Sequence, residues 1–304
     1  YFKNKRYDIL TTRRTVPSYT GFTLPMVNLG KVQNKGIEFT LDYGDNFGKN
    51  GRYFVKGNLS IAKNKILYMD EPPNSANPFL VQTGHPIGQL FGYTAIGFYK
   101  DSADIAKSLP DFRNVKPGDI KYADINGDGE INTKDQGPIG YPLIPEVTYG
   151  VSWGISYKGF DVSALIQGAA RSSLMSNTML QIGSVNAAPA AIHLKRWTPE
   201  TANTAEFPRL GGPDFDNSTF WLRSAAYTRL KNVEIGYRIP KEFVQRLGIG
   251  LNDIRLYANG QNLITWFNLN IYDVDPESNR GTVEAYSDYP QQKIFNFGLQ
   301  VTFK

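Results

Sequence analysis

Twelve residues of this chain have the types and spacing of a calcium loop. Asp124, Asn126, Asp128 and Asn132 put side-chain oxygens at loop positions 1, 3, 5 and 9, with Gly129 at position 6 and Asp135 at position 12. Calcium takes roughly six to eight hard oxygen ligands; the glycine permits the sharp turn, and Glu130 would add its backbone carbonyl. Aspartate at the last position reaches less far than the usual glutamate, which weakens binding. The same residues also suit an Asn/Gly/Asp turn that satisfies its own backbone through Asx-type hydrogen bonds. No helix pair follows for a bound ion to move, so the metal reading is a structural calcium clip rather than a sensor.

Other chemistry is sparse. The sequence has no cysteine, which excludes disulfides, thiolate metal sites and cysteine nucleophiles. His85 and His193 are its two histidines, and neither lies in a nucleophile or metal-ligand pattern. Carboxylate pairs of the glycosidase kind are defined by separation in space, not along the chain. No enzyme activity is expected. The net charge of +5 is spread without a dense Lys/Arg run, so nucleic acid is not an expected partner.

Eighteen Tyr, 18 Phe and 29 Gly with only 20% charged residues favour pleated strands and turns, an all-β chain. No apolar run is long enough for a membrane helix, and mean hydropathy is -0.37. Strands that cross a bilayer need only about 10 residues each and leave average hydropathy near that of a soluble protein. Periodicity is therefore the test. From Val147 to Tyr157 every odd position is large and apolar or aromatic, and every even one is Gly, Ser or Thr. Tyr149, Val151, Trp153 and Ile155 make one face, and it is expected to meet lipid. Lys158-Gly159 is a tight hairpin connection into Phe160 to Gln167.

Upstream, Ile37, Phe39, Leu41 and Tyr43 alternate with Glu38, Thr40 and Asp42, and Gly44 to Gly51 predicts a turn into Tyr53 to Ala62. Tyr227 to Tyr237, Ile254 to Ile264 and Lys293 to Phe303 follow, the last with Phe295, Phe297, Leu299, Val301 and Phe303 on one face. With a weak first strand over Phe2 to Leu10 the count is roughly eight. Strict alternation from Tyr227 to Tyr237 would aim Arg229 and Lys231 at lipid. Either that end rises above the bilayer or the strand carries a bulge.

Connections alternate in length. Short ones fall at about 44–52, 158–159 and 238–253, and long ones at about 11–31, 63–146, 168–225 and 265–292. Outer-membrane barrels sort their connections this way, with short periplasmic turns and long external loops.

The calcium-like loop with Ile139-Gly140 and Pro145-Glu-Val-Thr-Tyr-Gly150 resembles the corresponding stretch of SusC/RagA-type TonB-linked outer-membrane transporters. So do Asn34-Lys-Gly-Ile-Glu38, Arg196-Trp-Thr-Pro-Glu200, Phe207-Pro-Arg-Leu210, Tyr227-Thr-Arg-Leu-Lys-Asn-Val233, Gly236-Tyr-Arg-Ile-Pro240 and Gly260-Gln-Asn-Leu-Ile-Thr265. Phe303 matches the terminal aromatic of the family, although Lys304 follows it. The resemblance implies that this chain is the C-terminal arc of a larger, roughly 22-stranded barrel. It further implies an N-terminal plug, TonB engaged through that missing part, a SusD-like surface lipoprotein as lid, and import of oligosaccharide (glycan) or peptide across the outer membrane. The first residues, Tyr1 to Arg6, have no signal-peptide character, so the chain is expected to start within a longer protein.

Trp197, Phe220, Trp221, Tyr286 and Tyr289 are candidates to stack on sugar rings or touch a lid; the alternative is packing of the long loops on each other. A soluble carbohydrate-binding β-sandwich predicts polar outer faces, and the uncharged faces of the strands at 147–157 and 293–303 disfavour it. A barrel-based adhesin would share the architecture but not the ordered motifs.

Overall fold

The computed structural model describes residues 1–13, 25–71, 77–176, 191–212, 216–246, 250–268, 275–277 and 291–303. Eight strands form one antiparallel sheet in chain order: β1 (Phe2–Thr12), β2 (Met26–Phe47), β3 (Gly51–Tyr68), β8 (Val147–Tyr157), β9 (Phe160–Ala170), β12 (Tyr227–Arg238), β13 (Leu251–Phe267) and β14 (Ile294–Phe303). Each is hydrogen-bonded to the next, the meander expected of a barrel wall.

Short strands fill two of the long connections. Between β3 and β8 lie β4 (Leu90–Tyr93), β5 (Ala95–Phe98), the short helix α1 (Ser102–Lys107), β6 (Ile120–Tyr122) and β7 (Gln136–Ile139). They form two ribbons, β4 with β7 and β5 with β6. Between β9 and β12 lie β10 (Ser173–Met175) and β11 (Leu222–Ser224), paired with each other.

β8 and its hairpin lie where the alternation places them. Lys158 and Gly159 both have positive φ, 48° and 92°, the pair of left-handed residues a two-residue hairpin turn requires. A Cβ on residue 159 would sit 2.7 Å from the Arg238 carbonyl oxygen, so glycine is needed there twice over. β2 and β3 run further than their alternation, pairing as far as Lys31 with Tyr68. Their 22 and 18 residues compare with the ~10 that cross a bilayer. Beyond the bilayer water covers both faces, so the hydrogen-bonded ladder continues through Lys31, Gln33 and Lys65 without any apolar pattern to mark it. The connection after β12 is not a plain turn: Pro240 leads into helix α2 (Lys241–Arg246), which buries Val244.

One face of the sheet is apolar and exposed. Ile37, Phe39, Leu41, Leu59, Val151, Trp153 and Ile155 share it with Leu256, Trp266, Phe297, Leu299 and Phe303, at exposures from 37% for Leu59 to 87% for Phe297. Val301 is half-buried. Tyr149 is also half-buried: its ring lies across Gly168, where a Cβ would collide with it, and its hydroxyl bonds the Thr228 hydroxyl.

A bulge decides the register of β12. Against both β9 and β13 the pairing shifts between Leu230 and Asn232. Before it Leu230 pairs Ile166 and Ile264; after it Val233 pairs Ala164 and Gly260. The apolar face thereby passes from even to odd positions, and Arg229 and Lys231 turn to the other side, where they form ion pairs. Of the two possibilities for these cations, the bulge is the one found.

Replacing Gly168 by valine is expected to displace the Tyr149 ring and the facing Tyr227 carbonyl, lowering stability by about 1–3 kcal/mol. Urea unfolding of the full-length receptor in detergent micelles, followed by the mobility difference between folded and unfolded barrel on gels, reads this directly.

Candidate functional site

The interior face of the wall is polar. Lys56 pairs with Asp42 at 3.0 Å. Arg255 of β13 reaches Asp161 of β9, and its Nη2 donates to Glu234 Oε1 of β12 at 2.7 Å. Asp161 thus shares its cation with the strand between them. Nearer the long loops, Arg229 and Lys231 meet Asp275 and Glu277, which come from the connection between β13 and β14. Such a face suits a water-filled passage and would be costly against lipid.

Above the wall the long connections have a core of their own. Tyr93 and Tyr122 stack with centroids 4.6 Å apart and planes 6° apart. The Arg113 guanidinium lies 4.3 Å over Tyr122, donates to the Ile120 carbonyl and pairs with Asp111 at 2.7 Å. Burial and the neighbouring Asp111 carboxylate, which accepts the Tyr99 hydroxyl proton, push the Tyr99 phenol well above its ordinary pKa. Ile120, Ile131, Ile139, Met175 and Phe207 complete this core with Trp221.

That placement favours, for two of the loop aromatics, packing of the loops on each other. Trp221 is 1% exposed, and Phe220 packs edge-to-face on Phe98, Phe207 and Trp221. Both bind one loop to another, the alternative already open from the sequence. Trp197 is half-buried, with its ring against Gly118 and its backbone N–H on the Phe207 carbonyl. Tyr286 and Tyr289 lie outside the described residues.

The calcium-like loop closes on itself. Asp124 accepts from the N–H groups of Gly127 and Gly129, Asn126 from that of Asp128, and Asp128 from that of Glu130. Asp135 is fully buried and accepts from Ile125 and Asn132 N–H at 3.0 and 2.8 Å. The Asn126 amide and the Glu130 N–H hold the Asp128 carboxyl below its usual range. No three carboxylates or imidazoles converge on one point among the described residues. His85 stands edge-on to Phe91, and His193 is buried in a 3-10 turn far along the chain.

Arg229 was marked in the sequence only as a misfit, and its acidic partners escaped the sequence reading. A bulge has no strong sequence signature, and Asp275 and Glu277 lie in a connection with no periodicity to place it. The signal available was the misfit itself, two cations on a face that otherwise excludes charge.

The family model described as TonB dependent receptor-like, beta-barrel, matches residues 1–263. Two curated relatives from Formosa agariphila align over the whole chain: TonB-dependent receptor P3, 29% identical, and TonB-dependent receptor P26, 32% identical. The chain spans about a third, 32%, of the length of each. Among solved structures, that of the RagAB peptide transporter superposes with a TM-score of 0.75 at 21% identity, over 98% of this chain and 32% of that one. The RagAB peptide importer in its open-open state is similar at a TM-score of 0.75 and 20% identity, over 99% and 32%.

Truncating Trp221 to alanine is expected to cost the loop core about 3–5 kcal/mol. Hydrogen exchange on the full-length receptor should then rise at β4, β6, β7 and β10 while β8 and β9 keep their protection.

Proposed function

The chain belongs to the TonB-dependent receptor β-barrel family of outer-membrane proteins, and on that footing we propose that it forms the C-terminal wall and outer loops of a nutrient importer. In this reading the polar face lines the passage, and the loop core stands at its external mouth. An upstream plug closes the passage and contacts TonB, which supplies the energy. A SusD-like lipoprotein covers the mouth. The cargo is an oligosaccharide or a peptide; fold similarity to a peptide transporter supports the second, and the ordered SusC/RagA motifs support the class as a whole. The observation that carries the reading is the division of one sheet into a face with an apolar, exposed central band and an ion-paired face, with the long connections at one end. Neither a soluble sandwich nor a free-standing binding module needs that division.

Cells lacking the full-length receptor, and cells lacking TonB, are expected to lose uptake of the same labelled oligosaccharide or short-peptide pool, and the receptor purified in detergent should bring a surface lipoprotein with it. Unchanged uptake in both strains would refute the importer reading.

For the 124–135 loop we propose a structural calcium ion as the role its spacing supports. Its carboxylates keep lone pairs beyond those bonded to the loop backbone, and external calcium sites work near ~1 mM. Calcium at that level should slow proteolysis within 124–135 of the full-length receptor relative to chelator, and Asp124→Ala with Asp128→Ala should remove the difference. Equal rates in the unmodified receptor would assign the loop to its own hydrogen bonds.

A further inference from the structure

The cations that the β12 bulge turns inward are not left to water. Arg229 is 2% exposed. Its Nε donates to the Thr265 hydroxyl of β13 at 2.8 Å, its Nη2 spans both oxygens of Asp275 at 2.7 and 2.8 Å, and its Nη1 bonds Glu277. Lys231 reaches Glu277 at 3.1 Å, and the Gln167 amide of β9 donates to the same carboxylate at 2.9 Å. Two adjacent strands, β9 and β12, therefore grip one short piece of the β13–β14 connection, and β13 steadies Arg229 through Thr265. Among the described residues the two cations meet two carboxylates.

The gripped piece is also braced from within. Asp275 accepts from the Glu277 N–H at 2.9 Å and from the Gln291 N–H, just before β14, at 3.2 Å. Pro276 between the two acids fixes its own φ and so limits how far their carboxylates can separate. Both partners thus arrive pre-set for the two cations.

An ion pair buried from water is strongly destabilised when one partner is removed, because the other is left uncompensated. Here the consequence differs by side. The strand cations face the passage, where water can solvate them if the loop leaves, whereas on the lipid face they would have no such alternative.

We propose that Arg229, Lys231, Asp275 and Glu277 form a latch that holds the Asp275–Glu277 segment against the inner face of the wall at the loop end, narrowing the passage there. Neutralising either half of the latch frees the segment. The latch sets the resting width of the outer mouth and is opened by whatever competes for Arg229, an anionic group on cargo being the chemistry that fits its guanidinium.

The test uses the full-length receptor in detergent. Asp275→Asn with Glu277→Gln removes the loop half without altering any strand; Arg229→Gln with Lys231→Gln removes the wall half. Each pair is expected to raise the rate of proteolytic cleavage in the β13–β14 connection by roughly tenfold or more, with amide exchange in the β8–β9 hairpin unchanged. Should the wall variant fail to fold, the loop variant decides the matter alone. Cleavage at the unmodified rate in the loop variant would overturn the latch.

Discussion

Hydrocarbon offers no hydrogen bonds, so each backbone N–H and C=O of a strand that crosses it must be bonded to a neighbouring strand. Everything else in this chain follows from that demand. The sheet runs β1, β2, β3, β8, β9, β12, β13, β14 without a gap in its ladder. Its apolar side chains, freed from the task of making a core, point outward at Phe39, Trp153 and Phe297. The wall needs no interior of its own, because lipid is the apolar phase its outer face meets.

A water-excluding core is still required where the chain leaves the bilayer, and it is built from the connections. Tyr93 and Tyr122 come from the β3–β8 connection and Trp221 from the β9–β12 connection, yet they pack in one cluster, and Arg113 fastens it with an aromatic contact and an ion pair. Long external loops are thereby held as a body rather than as separate strands of chain. The bulge in β12 applies the same economy to charge. One extra residue moves Arg229 and Lys231 from the side where no partner exists to the side where Asp275, Glu277 and Gln167 stand ready.

What could be read from the sequence followed how strongly lipid constrains each position. β8 was legible to the residue because its odd positions must be apolar and its even ones face a polar interior. β2 and β3 were read too short, since above the bilayer the ladder continues through Lys31, Gln33 and Lys65 with water on both sides and no pattern to show it. β12 was legible only as a misfit: Arg229 and Lys231 contradicted the alternation, and either of two structural remedies would have met it. The short strands β4 to β7 left no trace, because ribbons of three or four residues carry no measurable period. Trp221 could not be assigned at all from sequence, as a tryptophan in a long loop reads alike whether it waits for a sugar or closes a core. Only contact with Phe207 and Phe220 decides it.

One face of this sheet meets lipid and the other a polar passage, and because the 304 residues contain no cysteine, this is measurable once any cysteine elsewhere in the receptor has been replaced. Single cysteines introduced one at a time from position 150 to 156 of the full-length receptor in vesicles would be tested for reaction with a membrane-impermeant thiol reagent and for quenching of an attached fluorophore by brominated lipid. The account predicts strict alternation, with 151, 153 and 155 quenched by lipid and unreactive, and the even positions reactive and unquenched. Uniform reactivity along the strand, or the opposite phase, would contradict it.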